Sequence, residues 1–516
     1  MKFPKALILN ILFLFILIHS FCFGQLNIVS TKNGMVSGFS DSGVNIFKGI
    51  PYAEPPLGDL RWKAPQPLKN WVGVKKCLEF SASPCQPNPV PFLCWSEEFI
   101  TPPKKLDENC LYLNIWTAAK TKTEKRPVFV WIYGGGFSSG SAACAIYDGE
   151  EMAKRGIIFV SINYRVGVLG FLAHPELTKE QGKASGNYGI MDQIAALKWV
   201  KENIQAFGGD PEQVTIGGQS AGSFSVNALV ASPMAKGLFQ RAIAESGGLL
   251  PNRAQTHLNE AEKLGLIFQE KAGVRSLADL RKLPADTLIK IQQKMGPLRM
   301  GLTLDDYIIP QNLMDRFKTG NFNEVPLLTG WVSGDGALAG PAITNAEKSQ
   351  KEALEKYGDK AKIFLEAFPA NTDEEAKSSQ LQRNLLGFAG YPSYLWAIFN
   401  PKPSYLYQIS HVPTDKKGFP NYGAFHTSEV PYALHTLHLW KRNWQEHDYE
   451  VENLLSSYWL NFIKTGNPNG TGLPEWKRFE KTGGYILEVN HTALSKPEYL
   501  KKQFDALQLT QTGEIK

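Results

Sequence analysis

The fold of this chain is decided by the stretch Gln213-Val214-Thr215-Ile216-Gly217-Gly218-Gln219-Ser220-Ala221-Gly222. Residues 213–216 form a short run typical of a β-strand, and the small and apolar residues after Gly222 can begin a helix. Between them lies Gly-x-Ser-x-Gly, in which glycines on both sides of Ser220 let the neighbouring backbone pass without a Cβ clash. A serine on such a sharp, strained turn is predicted to be a nucleophile.

Strand and helix patterns alternate along the chain from residue 127 onwards. Short apolar runs predict further buried strands at 128–132, 157–162, 241–245, 325–332 and 405–410. Helical patterns lie at 450–464, over the charged region 254–300, and through Ile190, Ile194, Leu197, Val200 and Ile204. This alternation indicates an α/β fold with a mostly parallel sheet flanked by helices. No internal repeat or linker is visible, so residues 25–516 are expected to form a single domain.

Composition and charge exclude several classes of protein. The chain has 516 residues, of which 43% are hydrophobic and 20% are charged, as in an ordinary globular protein. Its net charge is +6, and removal of residues 1–24 takes away two lysines and leaves 53 basic against 49 acidic residues, or +4. Because this charge is small and no dense stripe of Lys and Arg occurs, nucleic acid is not an expected partner.

The N-terminus has the pattern of an export signal. Lys2 and Lys5 precede an apolar run over residues 6–18, and Gly24 follows at a suitable cleavage position. The run is short of the roughly 20 residues that a membrane span needs, and no later run is long enough. We therefore predict a signal peptide over residues 1–24 and a secreted or periplasmic protein. Lipidation at Cys22 is a weaker alternative, because Phe21 is a poor match to the small residue required there.

A second glycine-rich turn follows the predicted strand 128–132. Gly134, Gly135 and Gly136 let backbone N–H groups converge on a developing negative charge, where one such donor contributes about 3 kcal/mol. The alternatives are a plain flexible turn or a phosphate-binding loop, and the latter is disfavoured because no Lys-Ser/Thr pair follows. The N–H of Ala221 would be a further oxyanion donor.

A nucleophilic serine needs a base and an acid, which are expected at the carboxyl ends of later strands. Asp335 follows the predicted strand 325–332 directly, whereas the rival carboxylates are not so placed; these are Asp305, Asp306, Asp315 and Glu324. Two histidines remain open as the base. His411 lies at the end of the predicted strand 405–410, and His426 lies in a loop of small residues.

Longer motifs connect the chain to a known family. They include Phe47-Lys48-Gly49-Ile50-Pro51-Tyr52-Ala53, Glu108-Asn109-Cys110-Leu111-Tyr112-Leu113-Asn114-Ile115-Trp116 and Phe207-Gly208-Gly209-Asp210-Pro211. With these motifs the chain resembles the type-B carboxylesterase/lipase family of the α/β-hydrolase superfamily, which includes cholinesterases and para-nitrobenzyl esterases. The resemblance covers most of the chain after the signal. It implies an α/β-hydrolase fold with N-terminal antiparallel strands and a helical cap region.

The resemblance also implies roles for individual positions. Ser220 would be the nucleophile, Asp335 the acid, and His426 the base within the family's Gly-x-x-His-x-x-Glu-x-Pro-Tyr pattern. Other implied positions are the oxyanion donors Gly135, Gly136 and Ala221, the supporting side chains Gln219, Ser246 and Glu429, and a disulfide between Cys85 and Cys110. The implied activity is hydrolysis of small-molecule carboxylic esters through an acyl-enzyme, without a metal or organic cofactor. The alternatives are a lipase or other acyl hydrolase, or a non-catalytic adhesion or recognition protein.

Some positions depart from the family pattern. Gln219 stands where Glu is usual, which removes a carboxylate and weakens the expectation of a cationic, choline-like substrate. Asp335 stands where Glu is commoner, and the preceding Trp331-Val332-Ser333-Gly334 takes the place of a more polar stretch. The proline-rich residues 84–106 predict a surface loop or lid, in which Trp95 is expected to serve in packing, with stacking against a ligand as the weaker alternative.

Overall fold

The computed structural model describes residues 26–103, 105–251, 255–296, 300–416, 418, 420–481 and 484–512. The predicted signal peptide at 1–24 lies outside the described residues. Within these ranges no helix combines the length and the apolar character that a membrane crossing needs.

The strands are β1 Ile28–Ser30, β2 Met35–Ser37, β3 Phe39–Asp41, β4 Val44–Pro51, β5 Val74–Lys76, β6 Ser83–Pro84, β7 Leu106–Asp107, β8 Tyr112–Thr117, β9 Arg126–Ile132, β10 Ile158–Ile162, β11 Gly209–Gln219, β12 Arg241–Glu245, β13 Thr256–His257, β14 Thr303–Leu304, β15 Leu327–Val332, β16 Ser404–Ile409, β17 Tyr485–Val489 and β18 Ala493–Pro497. Eleven of them form one sheet in the order β18-β17-β16-β15-β12-β11-β9-β10-β8-β4-β3. The strands from β10 to β17 in this order run parallel. The two edges are antiparallel, through β8, β4 and β3 on one side and β18 on the other.

The helices are α1 Glu150–Lys154, α2 Gly167–Phe171, α3 Pro175–Gln181, α4 Tyr188–Asn203, α5 Ala221–Ala231, α6 Leu258–Lys271, α7 Leu277–Lys282, α8 Ala285–Lys294, α9 Leu313–Lys318, α10 Ala346–Tyr357, α11 Ala361–Ala367, α12 Asp373–Leu385, α13 Tyr391–Phe399, α14 Val430–Ala433, α15 Glu446–Thr465 and α16 Lys501–Thr512. They flank the sheet, so the predicted α/β-hydrolase architecture is confirmed. Helices α10 to α13 lie in the chain between β15 and β16 and form the cap region.

The predicted strands agree with the sheet because buried parallel strands are continuous apolar runs. Strands β9, β10, β12, β15 and β16 are almost wholly buried along their length, and β11 contains the residues directly before Ser220. The strand ends at Gln219, Glu245 and Val332 therefore lie at one edge of the sheet. This edge carries the candidate site.

The proline-rich loop 84–106 differs in part from the expected surface loop. Phe92 is exposed, as expected, but Phe99 is buried against Trp440 and Phe425, with ring centroids 4.8 and 6.0 Å away. A buried aromatic ring stabilises the fold more than an exposed one does, so this part of the loop packs as core. The loop is consequently fixed to the segment that carries His426.

Candidate active site

Ser220 occupies the turn between β11 and α5. Its φ of 57° and ψ of −123° are unusual for a residue with a side chain, and such conformations cost about 1–3 kcal/mol. The surrounding structure holds it there, because its N–H donates to the carbonyl of Glu245 at 2.9 Å and its carbonyl accepts from the N–H of Phe224 at 2.9 Å. The turn thus has the strained geometry that the sequence predicts.

The two glycines of the turn are required by its packing. A Cβ on Gly218 would lie 2.5 Å from the carbonyl oxygen of Ile132, and a Cβ on Gly222 would lie 2.0 Å from the same atom. Both contacts are with backbone, which has little freedom to move. Strand β9 can therefore approach the turn only because both positions lack a side chain.

The glycine turn after β9 lies against Ser220. A Cβ on Gly134 would lie 3.0 Å from the Cβ of Ser220, and the following residues Gly135 and Gly136 have φ values of 110° and 61°. The N–H groups of Gly135, Gly136 and Ala221 donate no hydrogen bond to any described residue. Three amides beside one serine are therefore free to bind an anionic oxygen.

Asp335 and His426 are brought together at the end of β15. His426 Nδ1 donates to Asp335 Oδ1 at 2.6 Å, and Asp335 Oδ2 accepts from the N–H of Val332 at 3.2 Å. Both side chains are buried. Gly334 donates its N–H to the carbonyl of Ala424, and a Cβ on Gly334 would lie 2.4 Å from that carbonyl oxygen. This glycine lets the loop of His426 approach the acid.

Gln219 contacts the imidazole directly. Its Nε2 lies 3.1 Å from His426 Nε2, and its Oε1 accepts from Thr427 Oγ1 at 3.3 Å. Within the described part of the chain, Ser220 Oγ makes no hydrogen bond to His426. The amide nitrogen also lies 3.4 Å from His426 Nδ1, so it packs over the face of the imidazole ring and does not lie along the lone pair of Nε2.

His411, the rival base, lies in a different network. Its Nε2 lies 3.1 Å from Asp448 Oδ1 and 3.2 Å from the hydroxyl of Tyr432. Burial acts to raise the pKa of Asp448, but hydrogen bonds from His411, Thr414 and Tyr432 outweigh it and lower that pKa. The structure thus joins His426, and not His411, to Asp335. Across the described ranges, no group of three His, Cys, Asp or Glu is arranged to hold a metal ion.

Two buried carboxyl groups lie behind the acid. Glu429 Oε1 accepts from Ser246 Oγ at 3.3 Å, and Glu245 Oε1 accepts from Trp459 Nε1 at 2.7 Å. Burial raises the pKa of Glu245 to about 8. Burial, together with the nearby carboxylates of Glu245 and Asp335, raises the pKa of Glu429 well above its ordinary value. Glu245 was not among the predicted site residues, although it ends a predicted strand directly before Ser246.

Aromatic rings line the imidazole. The rings of Trp95 and Phe388 lie edge-to-face with His426, with centroids 6.4 and 5.7 Å away, and Phe388 also contacts Phe224 at 5.7 Å. Phe388 lies on a single π-helical turn, Leu386–Gly390, a feature frequent at functional sites. No sequence signal distinguishes Phe388 from a core residue, whereas Trp95 was expected to pack in the lid, with stacking against a ligand as the weaker alternative.

The predicted disulfide between Cys85 and Cys110 is not formed in the structure. Both carry free thiols and line one small cavity together with Arg61, Glu108 and Arg165. Burial raises the pKa of the Cys85 thiol to about 12 and that of Cys110 well above its ordinary value. Since the thiolate is the reactive form, these buried thiols are held in the unreactive, protonated state.

Comparisons with known proteins agree with this geometry. The family model described as "Carboxylesterase family" matches residues 25–507. A para-nitrobenzyl esterase of Bacillus subtilis is 33% identical over 92% of this chain and 98% of its own length. The fumonisin B1 esterase of Sphingopyxis macrogoltabida is 33% identical over 88% of this chain and 84% of its own length.

Solved structures show the same relationship. A para-nitrobenzyl esterase structure matches with a TM-score of 0.81 at 29% identity, covering 93% of this chain and 99% of the other. A carboxylesterase of Geobacillus stearothermophilus matches with a TM-score of 0.80 at 29% identity and the same coverage. The chain belongs to the type-B carboxylesterase family and is a carboxylic-ester hydrolase of the α/β-hydrolase fold.

Proposed function

We propose that this carboxylesterase cleaves small-molecule esters through Ser220, His426 and Asp335, by way of an acyl-enzyme. The observation that carries the proposal is the 2.6 Å hydrogen bond from His426 Nδ1 to Asp335 Oδ1, beside a serine on a strained turn. Because an ionised carboxylate only accepts, this bond fixes the proton on Nδ1 and leaves Nε2 with a lone pair. The imidazole is then in the tautomer that a general base requires.

Acylation begins when Ser220 Oγ attacks the ester carbonyl carbon and its proton passes to His426 Nε2. The carbonyl π electrons move to oxygen, and the N–H groups of Gly135, Gly136 and Ala221 stabilise the resulting oxyanion. Asp335 stabilises the imidazolium. The bond to the alcohol oxygen then breaks, and the departing oxygen takes the proton from Nε2. These steps leave the acyl group on Oγ.

Deacylation repeats these steps with water. Water attacks the acyl carbon and gives its proton to Nε2, a second oxyanion forms at the same amides, and Oγ departs as it regains the proton. The carboxylic acid leaves and the resting enzyme returns. The chain thus needs no other group than these residues for the hydrolysis of an ester.

The side chains that contact His426 favour particular ester substrates. The rings of Trp95 and Phe388, which both contact the imidazole edge-to-face, favour apolar acyl or alcohol groups. Gln219 places a neutral amide where the family usually has a carboxylate, so a cationic alcohol group receives no charge partner there. We infer a preference for neutral, apolar esters over choline esters.

We also propose export, with removal of residues 1–24 and a mature catalytic domain over residues 25–516. The support is the basic and apolar pattern of the N-terminus. The resemblance implies a disulfide between Cys85 and Cys110; both carry free thiols in the structure but line one cavity, and we propose that they are oxidised to a disulfide in an oxidising compartment. Of the five described cysteines, a secreted sample titrated under denaturing conditions should retain three thiols. Five thiols, or an intact residue 2–24 segment, would exclude this part of the proposal.

The catalytic proposal is tested by alanine variants assayed with short-chain p-nitrophenyl esters. We expect His426→Ala to lower kcat by at least about 10³-fold. His411→Ala is the matched control, since it also removes a buried imidazole that is bonded to a carboxylate. It should lower stability but leave kcat of the folded fraction within a few-fold. A large loss of kcat in His411→Ala with activity retained in His426→Ala would identify a different base.

A further inference from the structure

The acid of the site has a short side chain. Asp335 stands where glutamate is commoner in the family, and a glutamate would extend further by one C–C bond, about 1.5 Å. Asp335 Oδ1 nevertheless lies 2.6 Å from His426 Nδ1. The backbone must therefore make up the missing length by holding the histidine loop, residues 423–426, close to the acid.

Gly334, the residue before the acid, is where the two segments come together. Its N–H donates to the carbonyl of Ala424 at 2.9 Å. A Cβ on Gly334 would lie 2.4 Å from that carbonyl oxygen, 3.0 Å from its carbon and 3.3 Å from the Cα of Phe425. With a φ of −90° and a ψ of 0°, Gly334 has the conformation of an ordinary turn residue, which other amino acids also adopt. What glycine contributes here is therefore the missing Cβ.

The segments on both sides of this contact are fixed. Beyond the acid, Gly336 lies so close to α12 that a Cβ there would be 2.1 Å from the carbonyl oxygen of Leu381. In the histidine loop, the N–H of Phe425 donates to the carbonyl of Gly423 at 2.9 Å, which closes a three-residue turn. A side chain at position 334 would therefore not be absorbed by a flexible neighbour, and it would separate the acid from the histidine loop.

We propose that Gly334 is a positioning residue for ester hydrolysis, which acts through Asp335. By lacking a Cβ, it sets the distance between the acid and the histidine loop at which a carboxyl group of aspartate length bonds to His426 Nδ1. A glutamate is too long for this distance. The inference rests on the proposed function of His426 as base and Asp335 as acid.

The distances give the size of the effect. Ordinary contact of a Cβ with a neighbouring atom begins near 3.4 Å, so a Cβ that meets the Ala424 oxygen at 2.4 Å must move the two segments apart by about 1 Å. A displacement of that size along the bond between acid and base lengthens it from 2.6 Å to about 3.6 Å, where it is no longer a hydrogen bond. The extra reach of a glutamate, about 1.5 Å, is enough to close this gap. Gly334→Ala and Asp335→Glu should therefore compensate for each other.

The test is the kcat for p-nitrophenyl acetate of the two single variants and the double variant, each referred to its folded fraction by circular dichroism. Both acylation and deacylation use the base, so kcat reports on the bond between Asp335 and His426 whichever step is slower. We expect Gly334→Ala to lower kcat by about 10²-fold, the effect of a misplacement of about 1 Å, with KM within a few-fold. Asp335→Glu alone should lower kcat by at least about tenfold, because the longer side chain does not fit the wild-type distance. The double variant should exceed Gly334→Ala in kcat by about tenfold.

Gly336→Ala is the matched control, because its Cβ also meets a carbonyl oxygen beside the acid, but on the side of α12. This clash acts between the acid and α12, so it opens no gap to the histidine loop that a longer side chain could bridge, and adding Asp335→Glu should lower kcat further. The positioning role is overturned if the double variant is no more active than Gly334→Ala, or if Asp335→Glu rescues Gly336→Ala as well. It is also overturned if Asp335→Glu alone keeps kcat within a few-fold of the wild type, a result that does not depend on whether Gly334→Ala folds.

Asp335→Ala separates this inference from the proposed function. As a loss of the acid itself, it should lower kcat by at least about 10³-fold, whether or not Gly334 sets the distance. Retention of activity in Asp335→Ala would overturn the proposed acid. Loss of activity there, with no rescue in the double variant, would overturn the role of Gly334 alone.

Discussion

The ionisation of Glu245 makes the stability of the folded protein depend on pH. Its carboxyl group is fully buried, its Oε1 accepts from Trp459, and its Oε2 has no hydrogen-bond partner among the described residues. Glu245→Gln preserves the shape and the acceptor of the protonated carboxyl group but cannot ionise. The variant should therefore fold as the wild type does at low pH and differ from it as the pH rises.

The sign and size of the difference follow from the pKa of Glu245, which burial raises to about 8 in the folded protein from 4.5 for the exposed group. Between these values the unfolded chain has lost a proton that the folded protein retains, so the free energy of unfolding falls as pH rises. The slope for one proton is about 1.4 kcal/mol per pH unit. With an unfolding entropy of roughly 2.1 cal/mol/K per residue, Tm falls by about 1.3 °C per pH unit, or ~4 °C between pH 5 and pH 8.

The assay is thermal unfolding of wild type and Glu245→Gln at a fixed scan rate from pH 5 to pH 8. We expect the wild type to lose about 4 °C relative to Glu245→Gln over this interval. Glu355→Gln is the control, because the Glu355 side chain is 66% exposed, and its curve should run parallel to that of the wild type. Parallel curves for wild type and Glu245→Gln would refute the conclusion that this carboxyl group stays protonated in the folded protein.

Two further predictions concern the residues around Ser220. Gly222→Ala should lower the free energy of unfolding by about 1–3 kcal/mol and reduce esterase activity, because the added Cβ would lie 2.0 Å from the carbonyl oxygen of Ile132. Gly387→Ala, where an added Cβ meets nothing within 4 Å, should leave both quantities nearly unchanged, and equal effects in a melting assay would contradict this account of the turn. Gln219→Glu should move the acid limb of the kcat/KM profile to higher pH by about one unit, because a carboxylate beside His426 stabilises the imidazolium. A shift to lower pH would be inconsistent with the contact seen between the two side chains.

The parts of the fold that sequence predicts well depend on local patterns. The strands of the parallel sheet are continuous apolar runs, and the turn of Ser220 is specified by the glycines that flank it. Helix boundaries were less well predicted. Helix α15, predicted over 450–464, begins at Glu446, because a capping box joins Gln445 and Asp448 through reciprocal hydrogen bonds.

The features of the site that were not predicted depend on which helices, strands and loops pack against each other. The residues alone left His411 and His426 open, and the difference between them is that α15 supplies Asp448 to His411 while β15 supplies Asp335 to His426. The contact of Phe388 with the imidazole likewise depends on how the cap packs over the sheet. No local sequence pattern encodes these contacts, because they arise from tertiary packing.

The central claim is that Ser220 is the nucleophile, and covalent labelling tests it most directly. A fluorophosphonate reacts with a serine that a neighbouring base activates and leaves a stable phosphonyl adduct. We expect wild type to gain one adduct, located on Ser220 by mass spectrometry of its peptides, and Ser220→Ala to gain none. An unlabelled wild-type protein that still hydrolyses esters, or an adduct on another residue that persists in Ser220→Ala, would contradict the claim.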